Sequence, residues 1–335
     1  MAETLEAKND AERSSTTDSV RFAAPSMGFD SAALEAATSR DVALCTLVRI
    51  DGGFSRSVGA QMAVHGEIAV AGDMTGGCLE AALIADVIAA RAAGRPRLVR
   101  YGSGSPYIDI RLPCGGGVEC YVDPKPDRSV IKDAVARLRR REPVALSFDI
   151  VENPRTYTAA GIGDRRASGF YADPGRFTRI YAPQLRILAF GTGPELEVLN
   201  QFSTLYGCAV ELFGPAGRDR VGDVKPIFLG AAPADVAVDA WTAVILLFHE
   251  HEWEIPILRW ALSTEAYYIG ALGGAKTVQG RRLALKEAGF GEDAIKRIHA
   301  PIGLIPRVKD ARTLGLSILA DVAGRYLNPS DLDQP

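Results

Sequence analysis

The chain has 335 residues, of which 47% are hydrophobic and 24% are charged, and its net charge at pH 7 is −3. This length accommodates two domains with separate cores, and the nearly neutral charge argues against nucleic acid or an anionic membrane as the main partner. No run approaches 18 uncharged apolar residues, and the polar N-terminal segment lacks the apolar core of a signal peptide, so we expect a cytoplasmic protein.

The first half of the chain predicts a mixed α+β domain that spans residues 28–182. Residues 1–27 are polar without apolar periodicity and predict a mobile tail. Apolar runs bounded by glycine-rich turns then predict short strands, the second and third forming a hairpin. These strands are 42–50, 60–64, 68–71, 97–101 and 117–122, with three more ending near residue 181. Helices are predicted from the Gly76-Gly77 pair to a cap at Gly94, and over about 129–141.

The second half, residues 183–330, predicts a different architecture. Its strands are expected at 185–190, 208–213, 243–247 and 267–270, and a helix at 195–206. Strands that alternate with helices indicate a parallel sheet, because parallel neighbours need crossover connections. The fold class is therefore α/β: a mixed N-terminal domain followed by a Rossmann-like parallel sheet with helices on both faces. Residues 182–184 are the expected boundary.

The segment Gly191-Thr192-Gly193 connects a predicted buried strand to a predicted helix, where a Rossmann fold binds phosphate. Glycines let the backbone approach a phosphate, and the helix start offers N–H groups. Two positions depart from the dinucleotide pattern. Leu196 occupies the third glycine position, and Gly214 stands where an acidic ribose ligand is expected. The alternatives are NAD(P) binding, another anionic ligand, or a scaffold used for docking.

Two histidines, His249 and His251, follow the strand predicted at 243–247, at the edge where ligands gather in an open parallel sheet. In an extended segment they would share a face, which suits a metal. Only two ligands are local, however, and one imidazole could instead orient a helix start or a phosphate. We assign no metal and keep both histidines as candidate cofactor ligands.

The five cysteines are odd in number and scattered, which argues against a disulfide framework and a structural zinc site. Cys78 is predicted in the first turn of a helix, where the dipole favours a thiolate. The N–H groups of Gly76 and Gly77 could hold an anion there, and a small buried thiol is the alternative. Cys114 lies beside Gly115 and Gly116, and Arg56 follows another glycine-rich turn, which together suggest a shared pocket.

Seven segments in this order resemble the xanthine dehydrogenase accessory factor family, also called XdhC/CoxI. The resemblance runs from about residue 40 to 325 and is carried by short motifs. They are VRIDGGFSRSVGAQM at 48–62, GGCLE at 76–80, LPCGG at 112–116, FHEHE at 248–252, YIGALG at 268–273, IHAPIGL at 298–304 and LSILA at 316–320. Each motif is weak alone, but seven in register are specific.

The resemblance implies a maturation factor rather than a metabolic enzyme. Such a factor binds the molybdenum cofactor, as molybdopterin or its dinucleotide form, and protects it while its terminal sulfur is installed. It then delivers the cofactor to the apoenzyme of a xanthine dehydrogenase or CO dehydrogenase type hydroxylase. By this resemblance Cys78 is the first candidate cofactor ligand, with a tentative catalytic role, Cys114 the second, and Arg56 an anion partner.

Two other functions remain open from the residues. One is an NAD(P)-dependent oxidoreductase that uses the Gly191 to Gly193 turn, with His249 or Cys78 as acid, base or redox thiol. The other is a docking subunit with a degenerate nucleotide fold. We expect a homodimer, with a molybdenum hydroxylase and a cysteine desulfurase as partners.

Overall fold

The structure is a computed structural model, and it describes most of the chain between residues 31 and 327. The described ranges are 31–39, 41–74, 78–105, 115–151, 157–162, 167–171, 173–216, 223–233 and 235–327, and for Cys78 and His251 it describes the backbone alone. The predicted tail, residues 1–27, lies outside them. Among the described residues, no helix has both the length and the apolar character needed to cross a membrane.

The first half contains two antiparallel sheets. The first sheet has the order β3-β2-β1-β5-β4, and the second has the order β7-β6-β9-β8. The strands are β1 (Val42–Asp51), β2 (Gln61–His65), β3 (Ile68–Gly72), β4 (Arg97–Gly102), β5 (Gly117–Asp123), β6 (Val144–Asp149), β7 (Tyr157–Gly161), β8 (Gly169–Phe170) and β9 (Arg176–Tyr181). The helices are α1 (Ala32–Ala36), α2 (Cys78–Ala93) and α3 (Arg128–Arg139).

Strand β1 is apolar along most of its length because both faces of the first sheet are covered. Cys45 and Leu47 point into the core beneath α2, whereas Leu44 and Val48 join the core that α1, α3 and the second sheet share. Side chains on a strand alternate between faces, so a two-sided core requires a continuous apolar run. The buried strand that this run predicted at 42–50 is confirmed.

Helix α2 packs on the first sheet through apolar residues spaced one helical turn apart. Leu79, Leu83 and Val87 are all buried in that core. The helix ends at Gly94, whose φ of +64° is the left-handed conformation that glycine adopts most readily. The predicted helix start, at the glycine pair before Cys78, and the predicted cap at Gly94 are both confirmed.

Aromatic rings pack together in the core that the second sheet shares with the first sheet, α1 and α3. Phe148 lies 5.1 Å from Tyr121, 5.3 Å from Tyr157 and 5.6 Å from Phe177, measured between ring centroids. Such pairs stabilise a core beyond the area they bury. Three strands were expected before residue 181, and the structure has four. The additional strand, β8, has two residues, which is too short for any periodicity to show.

The second half forms a six-stranded parallel sheet with the order β12-β11-β10-β13-β14-β15. The strands are β10 (Arg186–Gly191), β11 (Ala209–Pro215), β12 (Val224–Ile227), β13 (Thr242–Leu247), β14 (Tyr268–Ala271) and β15 (Ile298–His299). The helices are α4 (Pro194–Tyr206), α5 (Glu254–Leu262), α6 (Ala275–Glu287), α7 (Glu292–Lys296) and α8 (Ala311–Leu327).

Helices cover both faces of this sheet, as the sequence predicted. Leu199 of α4 and Val322 of α8 are buried on one face, and Leu258 of α5 and Leu285 of α6 on the other. The strand order reverses direction between β10 and β13, which makes their carboxyl ends a topological switch point. The predicted α/β class with a Rossmann-like second half is confirmed.

The two halves meet near the linker between β9 and β10. Arg141 reaches across from the end of α3, where its Nε donates to Asp239 Oδ2 at 2.5 Å and its Nη2 to Oδ1 at 3.1 Å. Its Nη1 also donates to the carbonyl oxygen of Gln184 at 3.0 Å. The assignment of 28–182 and 183–330 as separate domains stays a prediction.

Candidate functional site

Five strand ends of the first sheet converge at one end, here called the motif end. Strands β1, β3 and β4 finish there and β2 and β5 begin there, because neighbouring strands are antiparallel. Gly117 pairs with both Asp51 and Gly102, while Met62 pairs with Gly72. The segments that carry the first three motifs therefore leave the sheet at this one end, although the paired residues Asp51 and Gly117 are 66 residues apart in the sequence.

Arg56 belongs to the loop between β1 and β2, residues 52–60, here called the arginine loop. It lies near the start of helix α2. Its Nε is 3.6 Å from Asp73 Oδ1, and Asp73 immediately follows β3. The backbone N–H of Met74 donates to Glu80 Oε1 in the first turn of α2, at 3.1 Å. These two contacts connect the arginine loop and residue Met74 to the same helix start, where the helix dipole favours negative charge such as that of Glu80.

Gly116 packs directly against the end of β1. A Cβ at Gly116 would lie 2.0 Å from the carbonyl oxygen of Asp51, so a larger residue would displace the backbone. The N–H of Ser103 donates to the Gly116 carbonyl at 2.9 Å, and Gly115 has a φ of +69°. The glycines of the third motif thus adjoin the residue at which the arginine loop begins.

Arg100 holds this arrangement from the neighbouring strand. Its Nη2 pairs with Asp51, its Nη1 donates to Glu119 at 3.3 Å, and its Nε donates to the carbonyl oxygen of Ser103 at 2.8 Å. The hydrogen bonds that the guanidinium donates to Asp51 and then to Glu119 raise the pKa of Arg100, so it remains a cation. No local pattern in the sequence indicates Arg100, since its partners lie 49 and 19 residues away.

The structure separates the five cysteines into two groups. Cys45, Cys120 and Cys208 are buried and free, and burial raises all three thiol pKa values, to about 12 for Cys120 and Cys208. Buried neutral thiols are poor nucleophiles and poor metal ligands. Cys78 is the first residue of α2, as predicted. Its side chain, together with Gly76, Gly77 and Cys114, lies outside the described residues.

The Gly191 to Gly193 turn is formed as predicted but carries an acidic side chain. Gly191 ends β10, and Gly193 caps α4 with a φ of +81°. Glu195 Oε2 is 3.3 Å from the position that a Cβ of Gly193 would occupy. A carboxylate at a helix start satisfies the dipole and repels a phosphate from the same place.

The second feature expected of a dinucleotide site is absent at the end of β11. Gly214 lies there, where a carboxylate would bind a ribose, and a Cβ at Gly214 would be 3.2 Å from the Gly191 carbonyl oxygen. The close approach of the two strand ends therefore favours glycine. Together with Glu195, this geometry argues against ordinary dinucleotide binding at the turn.

The expectation of an extended segment at His249 and His251 was wrong. The chain turns after β13, because a 3-10 helix at His251–Trp253 leads into α5. His249 is 70% exposed, and its Nε2 lies 3.7 Å from Glu195 Oε1. The side chain of His251 is outside the described residues. No group of three or more metal-ligating side chains occurs within the part of the chain that the structure describes.

Comparisons with known proteins agree with this architecture. Residues 36–102 match the family described as XdhC and CoxI family, and residues 187–322 match the XdhC Rossmann domain. The chain is 33% identical over 300 residues to the molybdenum cofactor insertion chaperone PaoD of Escherichia coli (strain K12), covering 89% of this chain and 88% of that protein.

A solved structure, described as a xanthine dehydrogenase from Bacillus halodurans, superposes with a TM-score of 0.70. It covers 92% of this chain and 98% of the other at 20% identity, which establishes a shared fold. One family match lies in the first half of the chain and the other in the second half, and the PaoD alignment spans 89% of the chain. The protein belongs to the XdhC and CoxI family.

Proposed function

We propose that the protein is an accessory factor for molybdenum enzymes. It binds the molybdenum cofactor, holds it while its terminal sulfur is installed, and delivers it to a xanthine dehydrogenase or CO dehydrogenase type hydroxylase. The observation that carries this proposal is the convergence of the three family motifs at the motif end of the first sheet. The name of the 33% identical relative, a cofactor insertion chaperone, supports it.

The cofactor site that we propose comprises residues from the three converging segments. They are Arg56, Gly76, Gly77, Cys78, Cys114, Gly115 and Gly116. Molybdopterin and its dinucleotide form carry phosphate at one end and a dithiolene at the other. An arginine beside a helix start, with glycines where backbone must approach closely, is a donor set suited to the phosphate end. Cys78 is proposed to face the molybdenum end.

We restrict this proposal to the first half. Gly191, Gly193, His249 and His251 were candidate cofactor ligands by sequence, but Glu195 lies beside the turn that would hold a phosphate. The proposed partners are a molybdenum hydroxylase apoenzyme and a cysteine desulfurase, and the proposed state is a cytoplasmic homodimer.

The test is to isolate the protein from cells that make the cofactor and to measure released pterin by fluorescence after oxidation. Wild-type protein should carry pterin, and Cys78→Ala should carry about tenfold less, since one cofactor contact is worth roughly 1.4 kcal/mol or more. Cys208→Ala is the matched control, because Cys208 is buried in the other half. Absence of pterin from wild type, or equal amounts in Cys78→Ala, would refute the proposal.

A further inference from the structure

The loop that follows β15 lies against the first two turns of helix α8. The backbone N–H of Ile305 donates to Ser317 Oγ at 2.7 Å, and that of Leu304 donates to the Ser317 carbonyl oxygen at 3.4 Å. A Cβ added at Gly303 would lie 2.6 Å from Ser317 Oγ, so the loop packs directly on the helix. These contacts place Leu304 and Ile305 near Leu316, the residue of α8 that precedes Ser317.

Three large apolar residues in this region face solvent. Leu304 is 56% exposed, Ile305 is 44% exposed and Leu316 is 55% exposed. Helix α8 does not need Leu316 for its own packing, because it meets α4 at Gly315, where an added Cβ would lie 2.9 Å from Val198 Cγ1. Single exposed apolar residues are ordinary, but three of them on one surface are typical of a site that another molecule covers.

Three cations border this apolar group. They are exposed, and none of them forms an ion pair within the part of the chain that the structure describes; they are Arg307, Lys309 and Arg312. Arg312 lies one helical turn before Leu316, on the same face of α8. The acidic neighbour, Asp310, accepts a hydrogen bond from the N–H of Thr313 at 2.8 Å. A partner of this surface would therefore need carboxylates around an apolar patch.

We propose that these six residues, here called the α8 surface, dock the protein that receives the cofactor, through an apolar patch bordered by carboxylates. This inference rests on the proposed function, which requires a protein acceptor. The three cations favour an acidic partner over a second copy of this chain, because a twofold contact would bring like charges together. The second half is available for docking, since Glu195 beside the Gly191 to Gly193 turn argues against a dinucleotide there. A small apolar centre suits a contact that must be released after delivery.

The test measures binding of the full-length protein to the apoenzymes of the molybdenum hydroxylases that the same organism makes, each purified from a strain without cofactor. We expect one of them to bind with a Kd on the order of 1–10 µM, and more weakly as the salt concentration rises. Leu316→Ala should weaken binding about tenfold, because an apolar contact is lost. Arg312→Glu should slow association about tenfold at low salt.

Two control variants make the same changes on other surfaces. Leu205→Ala removes a leucine that is 83% exposed at the end of α4, and Lys132→Glu reverses an exposed charge on α3. Both should bind the apoenzyme as wild type does. All four variants should keep the wild-type Tm, because each changed side chain is exposed. Binding of no apoenzyme by wild type, or unchanged binding in both Leu316→Ala and Arg312→Glu, would overturn the proposal.

Pterin content separates this inference from the proposed function. Leu316→Ala and Arg312→Glu should carry as much pterin as wild type, yet activate the apoenzyme more slowly. Absence of pterin from wild type would refute the cofactor proposal, whereas the binding measurement tests docking by itself. Three results would assign the α8 surface to another occupant and overturn the docking proposal. They are a dimer that Leu316→Ala dissociates, loss through Leu316→Ala of sedimentation with phosphatidylglycerol vesicles, and apoenzyme binding that appears only after residues 1–27 are removed.

Discussion

Cys45, Cys120 and Cys208 are held in apolar surroundings, where water cannot solvate a thiolate. Desolvation is the largest cause of the raised pKa of each thiol, and for Cys208 it is the single cause. At pH 8, a thiol of pKa about 12 is ionised in roughly one molecule in ten thousand. Thiol chemistry in the folded protein is therefore expected to come from Cys78 and Cys114.

Iodoacetamide labelling of the native protein at pH 8 should reveal this difference. Cys45, Cys120 and Cys208 should stay unlabelled in native buffer and become labelled in urea, because labelling requires an exposed thiolate. Cys78 and Cys114 should account for the native labelling. Peptide mass spectrometry assigns each site, and native labelling of Cys120 at the rate seen in urea would contradict the burial argument.

Helices α5 and α6 are joined by an ion pair that lies almost wholly inside the protein. The Glu254 side chain is 1% exposed and that of Arg281 is 4% exposed. A buried pair is costly to desolvate, so it adds little net stability, but loss of one partner leaves an uncompensated charge. The pair therefore makes the two helices depend on each other.

A double-mutant cycle on this pair has a defined expectation. Glu254→Leu should lower the free energy of unfolding by about 3–5 kcal/mol, because it strands the Arg281 guanidinium. Glu254→Leu combined with Arg281→Met should recover most of that loss, since no buried charge remains. Urea denaturation measures all four proteins. Additive losses in the double variant would show that the pair does not couple the helices.

At the scale of single helices and strands, apolar periodicity in the sequence located most of these elements. The continuous run at 42–50, the glycine pair before Cys78 and the cap at Gly94 each fixed an element locally. Strands β8 and β15 have two residues each, so no periodicity could reveal them. The ion pair joins residues 27 apart, and such contacts depend on how helices pack. The backbone at His249 and His251 was wrongly predicted to be extended, because the turn into α5 follows from tertiary packing.

The sequence could predict which residues belong to the candidate site, but not how those residues are arranged in space. The motifs named Arg56, Gly115 and Gly116 from the sequence. Their common edge follows from the antiparallel order β3-β2-β1-β5-β4, which no local pattern encodes. The sequence did not predict roles for Asp73 and Arg100, because their contacts depend on which strands meet at that end of the sheet. The position of the Glu195 carboxylate over the turn became evident only in the structure.

At the scale of the whole molecule, the pair of Asp239 with Arg141 is a charged contact between the two halves. Burial alone would raise the pKa of its carboxyl group, but hydrogen bonds from Arg141 and Thr242 outweigh burial and lower it. A carboxyl group with a lowered folded pKa contributes stability that is present above its unfolded pKa, about 3.9. That contribution is lost as the pH falls through the folded value.

Asp239→Asn should accordingly destabilise the protein in a pH-dependent way. At pH 7 the loss should be about 1–2 kcal/mol, since the carboxylate is partly exposed and solvent screens the pair. The loss should shrink towards pH 3, as the pH falls below the unfolded pKa of about 3.9 and towards the lowered folded pKa of Asp239. Thermal unfolding at both pH values measures it, with the fully exposed Asp293→Asn as control. An equal loss at pH 7 and pH 3 would exclude the charge as its cause.

The arrangement of the first sheet also has a consequence during protein synthesis. Strand β5 lies between β1 and β4, so the edge beside Arg56 stays incomplete until residues 117–123 have emerged from the ribosome. A nascent chain in which the arginine loop and α2 have already emerged still lacks the packing contact between Gly116 and Asp51. Because these contacts are distant in sequence, they form late relative to local ones. If the proposed cofactor site lies at this end of the sheet, only chains in which β5 has joined the sheet would present it complete.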